Sequence, residues 1–425
     1  MLDIKLIREQ PDAVREALLK RHASVDFSEL LGWDDTRRTQ LASLEAKRNQ
    51  RNDVSAKVPA LKKAGADVQP VFAEMKSLGG EIKALEAEVA ELEQKVFDVL
   101  SGLPNLVDPD VVGGGKENNQ IIGTWGDKPS FTFTPKDHVA LLTDLGMVDY
   151  ARGAKLGGSG FWIYRGDGAR LEWALLNFFV ERHIAAGYEF VLPPHLLSMA
   201  CGYTAGQFPK FVDDVFMLEA NGDQERRFLL PTAETALVNL HRDELLSEAE
   251  LPRKYFAYTP CYRKEAGSYR TEERGTVRGH QFNKVELFQY CRPEDSSDAL
   301  EGMLEHARSI VRDLGLHHQV SKLAAADVSA GMAKTFDIEV WIPSMQQYKE
   351  VSSASNARDY QARRGQIRYR PEGQKKTELV HTLNASGLAT SRLLPAIVEQ
   401  FQRADGSVAV PPVLVKWLGK EVLSG

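Results

Sequence analysis

Cysteine is scarce: Cys201, Cys261 and Cys291 are the only three in 425 residues, and they stand far apart without a Cys-x-x-Cys pair or the Cys/His spacing of a zinc site. This excludes a disulfide framework or a structural zinc as the organising device. His280 and the pair His317-His318 likewise lack ligand spacing and read as surface or structural residues. No apolar run is long enough to span a bilayer, and the first ten residues, with Asp3, Lys5, Arg8 and Glu9, contain no apolar leader segment. A cytoplasmic protein without a membrane partner is expected. No charge of one sign dominates either. The formal net charge of −6 argues against blanket affinity for nucleic acid. It leaves room for a local basic surface, because screening limits a charge's reach to about 8 Å at physiological salt. A phosphate-binding P-loop is also missing: around Gly113-Gly114-Gly115-Lys116, Asp110 stands where the first Gly belongs and Glu117 where Ser or Thr belongs.

What the chain does have is a seam. Met75, Leu78, Ile82, Leu85, Val89, Leu92, Val96 and Val99 are spaced alternately three and four residues apart, the pattern of a coiled-coil stripe. Residues 33–63 are also helical in composition, and Gly65 and Pro70 between the two segments stop one helix and start another. The spacing predicts an antiparallel helical hairpin over about residues 33–100, a rod on the order of 45 Å long and too long for the core of a compact domain. Its first helix is net basic (+4, residues 34–63) and its second net acidic (−4, residues 71–100). Opposite signs favour pairing and leave Arg37, Arg38, Lys47, Arg48, Arg51 and Lys57 as candidates to face an anionic partner. The same residues fit a self-associating rod with a solvated charged face. A short helix over residues 11–21 is expected at the base of the rod. After Leu103-Pro104-Asn105 the composition shifts to Gly, Pro and β-formers, so the expected division is 1–104 for the arm domain and 105–425 for a main domain.

The main domain alternates amphipathic helices with strands that read as antiparallel, an α+β fold with helices flanking a sheet. Residues 255–263 and 281–290 form a long hairpin, in which Phe282, Lys284 and Glu286 share one face while Val285 and Leu287 share the other. Arg263 and Glu265 are expected to share a face of the partner strand, with Arg270, Arg274 and Arg278 in the joining loop. An aromatic ring, carboxylates and guanidiniums on one sheet face must stay wet or be paired. The hairpin alone fits an exposed sheet with cross-strand ion pairs as well as a nucleotide site. The turn from Asn384 to Arg392 adds weight to the second reading. Pro395 is expected in a first helical turn, which puts Arg392 near a positive helix end suited to phosphate oxygens.

In order along the chain, residues 187–194, Tyr262-Arg263-Lys264-Glu265-Ala266-Gly267-Ser268 with His280-Gln281-Phe282-Asn283-Lys284-Val285-Glu286, and Asn384 to Arg392 resemble the three motifs of class II aminoacyl-tRNA synthetases. Thr232-Ala233-Glu234, residues 206–211, Glu350-Val351-Ser352-Ser353, residues 358–364 and the helical arm resemble the seryl-tRNA synthetase family in particular. The resemblance implies a homodimer that forms seryl-adenylate from L-serine and ATP with Mg²⁺. It also implies transfer of the seryl group to tRNA(Ser), and to the selenocysteine tRNA, tRNA(Sec), where one exists. It implies that Arg263 grips the α-phosphate and the serine carboxylate, Arg392 the γ-phosphate, and Glu265 the adenine amino group, while Phe282 stacks on the base. Arg278, Lys264 and Lys284 support the triphosphate and the transfer, and Glu350 with Ser353 holds Mg²⁺ beside Val351 and Ser352. Thr232, Ala233, Glu234, Glu286, Asn384 and Ser386 surround serine, and the arm grips the long variable arm of the tRNA.

Ala385, Ser391, Ala354, Ala205 and the pair Tyr269-Arg270 depart from the family pattern. They leave open a specialised second copy serving a biosynthetic pathway or tolerating a seryl-adenylate mimic. Two rivals come from other classes. A synthetase-like ligase charging a carrier protein would lack the arm, and a dead RNA-binding relative would not need Arg263, Glu265, Glu286, Glu350 and Arg392 together.

Overall fold

The computed structural model describes all residues except 221, 223, 224 and 266–274. Tyr269, Arg270 and Arg274 therefore lie outside the described residues. The chain forms two compact units, one of residues 2–18 with 23–103, the other of residue 1 with 19–22 and 104–425.

In the first unit the hairpin consists of α1 (Ser28–Lys63) and α2 (Gln69–Gly102), so the first helix starts earlier than composition suggested. The seam is the packing stripe: Leu78, Ile82, Val89 and Val96 are buried where the two helices pack together, as are Leu44 and Val54 of α1. Each buried aliphatic side chain contributes about 1.5–3 kcal/mol, which is what holds two helices with little else between them. The charge asymmetry is spent largely inside the hairpin. Arg48 pairs with Glu86 at 2.7 Å, Lys47 with Glu81, and Arg37 with Glu93 at 3.8 Å. Asp34, buried, gathers Arg37, Arg38 and Arg8 at the base. Among the described residues, neither Arg51 nor Lys57 has a carboxylate at ion-pair distance; Lys57 is exposed and Arg51 half-buried.

The second unit is built on eight strands: β1 (Gln120–Trp125), β2 (Glu189–Phe190), β3 (Arg253–Tyr262), β4 (Gln281–Cys291), β5 (His318–Lys322), β6 (Lys334–Ile342), β7 (Gln347–Arg358) and β8 (His381–Ala389). Their order is β1-β5-β6-β7-β8-β4-β3-β2. Every pairing is antiparallel except β2 with β3, which is parallel, so the sheet is antiparallel-dominated as expected. Helices α3 (Asp167–Ala185), α4 (Ser296–Asp313) and α5 (Thr390–Gln400) supply Leu175, Phe179, Leu304 and Ile397 to a core shared with Val285, Leu287 and Ala385 of the sheet. Alternation along β4 then turns Phe282, Lys284 and Glu286 away from those helices.

Two expectations about the third motif are corrected. The strand runs on through Ala389, and α5 begins at Thr390, so Pro395 sits in the second helical turn. A proline there cannot donate to the Ser391 carbonyl four residues back. The Thr276 hydroxyl donates to that carbonyl instead, at 3.0 Å. Thr276→Val is expected to lower stability by about 1–3 kcal/mol, because a buried acceptor loses its partner. The urea midpoint reads this directly.

Candidate active site

β3 and β4 pair in register, placing Phe282 opposite Cys261 and Lys284 opposite Thr259. β3 ends at Tyr262, so Arg263 and Glu265 do not share a strand face as expected. Glu265 adopts a left-handed backbone, φ 51°, which re-aims its side chain. Both residues nevertheless line one cavity with Arg278, Phe282, Glu350 and Arg392. Arg263 is anchored by donating Nε–H to the Pro231 carbonyl at 3.2 Å, and its guanidinium lies 5.2 Å from the centroid of the Phe282 ring. A cation beside an aromatic face suits a planar, anionic ligand. Arg278 donates from Nε to Glu265 Oε2 at 2.7 Å. Arg392, in the first turn of α5, donates Nη1–H to the Glu350 carbonyl at 2.8 Å and stands 3.5 Å from the Glu350 carboxylate.

Glu350 and Ser353 are three residues apart, a spacing that sends side chains to opposite faces of a regular strand. Here the β6–β7 register shifts where Glu339 faces Glu350 and Ile338 faces Ser352, and the bulge lets Glu350 and Ser353 line the same cavity beside Asp337 and Arg392. Val351 is buried but borders the arginine-lined cavity. Ser352 is fully buried and donates to the Ser386 carbonyl at 2.6 Å, so its side chain braces β8.

Next to the arginine cavity is a pocket of about 430 Å³ lined by Thr232, Glu234, Gln207 and Arg263. Lys284, buried, donates to Thr232 Oγ1 at 2.7 Å and pairs with Glu286 at 2.6 Å. Asn384 donates to the other oxygen of Glu286 at 3.1 Å, and Ser386 lies opposite Glu286 on β8. Glu234 accepts from Gln361 Nε2 at 2.7 Å. Burial, together with the neighbouring Glu286 carboxylate, pushes Glu234 up to about 7. Ala233 packs its methyl into an apolar cluster with Leu237 and Tyr255, and Lys264 borders a neighbouring pocket with Phe161 and Trp162.

Gln361 lies in the family-like stretch 358–364, but its sequence context assigns it no role: it reaches Glu234 across a separation of 127 residues, and nothing in its local spacing signals that contact. Of the departures, Ala354 and Ala385 face each other between β7 and β8, both fully buried. Ala205 is buried and its carbonyl accepts from Gln361. Ser391 is buried with its carbonyl held by Thr276.

An antiparallel sheet with helices on one face, and arginines from a β-hairpin and from a strand-to-helix junction meeting over the other, defines a class II aminoacyl-tRNA synthetase core. The family model described as "tRNA synthetase class II core domain (G, H, P, S and T)" matches residues 216–401, and the model described as "Seryl-tRNA synthetase N-terminal domain" matches residues 1–107. The chain is 59% identical to a serine–tRNA ligase 2 of Clostridium acetobutylicum over 100% of both chains. It is 45% identical to a serine–tRNA ligase of Thermodesulfovibrio yellowstonii, again over 100% of both. A crystal structure of the seryl-tRNA synthetase of Pyrococcus horikoshii complexed with ATP superimposes with a TM-score of 0.90 at 35% identity, covering 100% of this chain and 99% of that one. This chain belongs to the seryl-tRNA synthetase family.

Proposed function

We propose that the enzyme activates L-serine with ATP and esterifies the 3′-terminal ribose of tRNA(Ser) with the product. The observation that carries this reading is the convergence of Arg263, Phe282, Glu350 and Arg392 on one cavity, next to a polar pocket holding Thr232 and Glu234. In the first step a serine carboxylate oxygen attacks the α-phosphorus and pyrophosphate leaves. In the second, the ribose hydroxyl attacks the seryl carbonyl and AMP leaves. No protein nucleophile is required. The need is for alignment of two anions and for fixed positive charge where negative charge accumulates.

Arg263 holds the α-phosphate and the serine carboxylate together, and Arg392 exchanges its contacts with Glu350 for the γ-phosphate. Phe282 stacks on adenine, Glu265 accepts from its amino group, and Arg278, Lys264 and Lys284 add positive charge along the triphosphate. Mg²⁺ fits the bulged edge of β7: Glu350 offers a half-exposed carboxylate, Ser353 a hydroxyl, and buried Asp337 Oδ1 beside them has no hydrogen-bond partner. Among the described residues no cluster of three or more His, Cys, Asp or Glu could hold a metal unaided. That fits an ion completed by phosphate oxygens and water. Once bound, Mg²⁺ would neutralise phosphate charge and hold the pyrophosphate in its leaving geometry.

Thr232, Glu234, Glu286, Asn384 and Ser386 receive the ammonium and hydroxyl groups of serine. Only ionised Glu234 can pair with the ammonium, so serine binding should strengthen as pH rises through about 7. The KM for serine is expected to be roughly tenfold higher at pH 6 than at pH 8, and Glu234→Gln should raise it and flatten that dependence. A flat wild-type profile would remove Glu234 from the ammonium site.

Homodimer formation is supported by apolar side chains exposed along α3 and the β2 edge: Trp173, Ile184, Phe190 and Leu192, the last 72% exposed. The hairpin arm contacts the variable arm of tRNA(Ser) through backbone and shape, with Arg51 and Lys57 the two of the six candidate residues without an ion pair among the described residues. Among the described residues no helix is long and apolar enough to cross a membrane. A charging assay that offers tRNA(Ser), tRNA(Sec) and a carrier protein as acceptors tests the reading: serylation of tRNA(Ser) is expected. Loading of the carrier alone would transfer the enzyme to the rival class.

A further inference from the structure

Helix α3 faces the core with Leu171, Leu175 and Phe179, yet among them it buries a carboxyl group, Glu172, only 3% exposed. Burying a carboxyl is costly unless hydrogen bonds compensate, and an apolar side chain there would avoid the cost. All the compensation falls on one oxygen. Oε1 accepts from Asn283 Nδ2 at 2.8 Å and from the Thr390 hydroxyl at 2.5 Å, while Oε2 is buried without a hydrogen-bond partner. The Thr390 hydroxyl also lies 3.3 Å from the Asn283 carbonyl, and the Tyr258 hydroxyl donates to Asn283 Oδ1 at 3.2 Å. Burial pushes Glu172 up to about 7, and the two donors pull the other way.

The two donors occupy particular places. Asn283 lies on β4 between Phe282 and Lys284, its side chain on the helix face while theirs point to the cavity. Thr390 is the first residue of α5, two before Arg392. One oxygen atom therefore ties the strand that carries the ring and the lysine to the helix that carries the arginine. Those elements are also joined by the Thr390–Asn283 carbonyl contact, by core packing of α5 on β4, and by the β4–β8 ladder, whose register shifts between Lys284 and Glu286. A bulge re-aims the strand locally, so the offset between Phe282 and Arg392 is not set by a regular ladder alone.

We infer that Glu172 is a positioning residue that sets the spacing between the adenine-stacking strand and the γ-phosphate arginine. It acts through Asn283 and Thr390 without touching substrate. The inference rests on the nucleotide reading proposed above. The serine pocket's own contacts, Lys284 to Thr232 and Gln361 to Glu234, do not involve this oxygen. The larger effect is therefore expected on ATP.

Serine-dependent ATP–pyrophosphate exchange on the full-length enzyme tests it. Glu172→Leu keeps the volume and removes the acceptor, and it is expected to raise the KM for ATP about tenfold, as loss of the two hydrogen bonds from Asn283 and Thr390 would. The KM for serine should stay within about twofold. Glu172→Gln retains an acceptor oxygen and should match wild type within about twofold in both constants. Thr390→Val should shift the ATP constant in the same direction, and adding it to Glu172→Leu should bring little further change, the signature of a shared link. If Glu172→Leu does not fold, Thr390→Val against Glu172→Gln carries the same comparison. An unchanged KM for ATP in Glu172→Leu or Thr390→Val, an equal rise in both substrates' constants, or a Gln variant as impaired as Leu would overturn the inference. Absence of serine-dependent exchange in the wild type would instead overturn the nucleotide reading on which it stands.

Discussion

Arg263→Ala is expected to lower serine-dependent ATP–pyrophosphate exchange by about 10²-fold or more, with the fold and the tRNA-binding arm intact. The magnitude follows from the position of the guanidinium. It is anchored to the Pro231 carbonyl, lies against Phe282, and borders both the arginine-lined cavity and the pocket of Thr232 and Glu234. No other described arginine except Arg278 lines both. A charge donor held in place before the reaction costs no reorganisation when negative charge builds on the α-phosphate, and removing such a donor typically costs 10²–10³ in rate. Lysine at this position should recover little, because a single ammonium cannot bridge a phosphate and a carboxylate as a planar fork does. Single-turnover adenylate formation would separate this effect from weaker binding. Exchange at the wild-type rate in Arg263→Ala would show that the reacting phosphate lies elsewhere.

Removing the arm should produce the opposite pattern. Deletion of residues 35–97, closed by a short linker, is expected to leave pyrophosphate exchange within a few-fold of wild type and to abolish tRNA charging. The hairpin is stabilised by its own seam, Leu78, Ile82, Val89 and Val96 against α1, and by pairs such as Arg48–Glu86. The cavity that holds Arg263 and Arg392 is lined only by residues of the second unit. The loss in charging follows from phosphate contacts: each lysine or arginine that neutralises a phosphate on binding contributes affinity that falls steeply with salt. Charging by the intact enzyme should therefore weaken between low and physiological salt more than exchange does. Loss of both activities in the truncated protein would contradict the division of labour between the two units.

How much of this was legible in the residues depends on the range of the interaction concerned. The seam from Met75 to Val99 is periodic, so the helical arm could be read from spacing alone. The alternation of Phe282, Lys284 and Glu286 gave the open sheet face in the same way. The fate of the basic helix was not readable, because its lysines and arginines pair with acids 34 and 38 residues away in Lys47–Glu81 and Arg48–Glu86, and net charge carries no partner information. Local conformation also escaped. The left-handed turn at Glu265, the bulges in β7 and β8, and the second-turn Pro395 rescued by Thr276 all arise from tertiary contacts that override local preference. Long-range positioning residues were the least visible: Glu172 meets Asn283 and Thr390 at separations of 111 and 218 residues, and no motif marks it.

On the proposed reading, serine selection is a matter of unpaired polar groups. Thr232 and Glu234 line one pocket, with buried Glu286 paired to Lys284 behind it, so an amino acid without the hydroxyl would leave an acceptor unsatisfied, a mismatch that can reach roughly 10⁴ in discrimination without editing. The measurement that bears most directly on the account is ATP–pyrophosphate exchange by the intact enzyme, run with each of the twenty amino acids in turn. Serine alone should support rapid exchange, with alanine, which lacks the hydroxyl, lower by orders of magnitude. Faster exchange with any other amino acid, or none with serine, would contradict it.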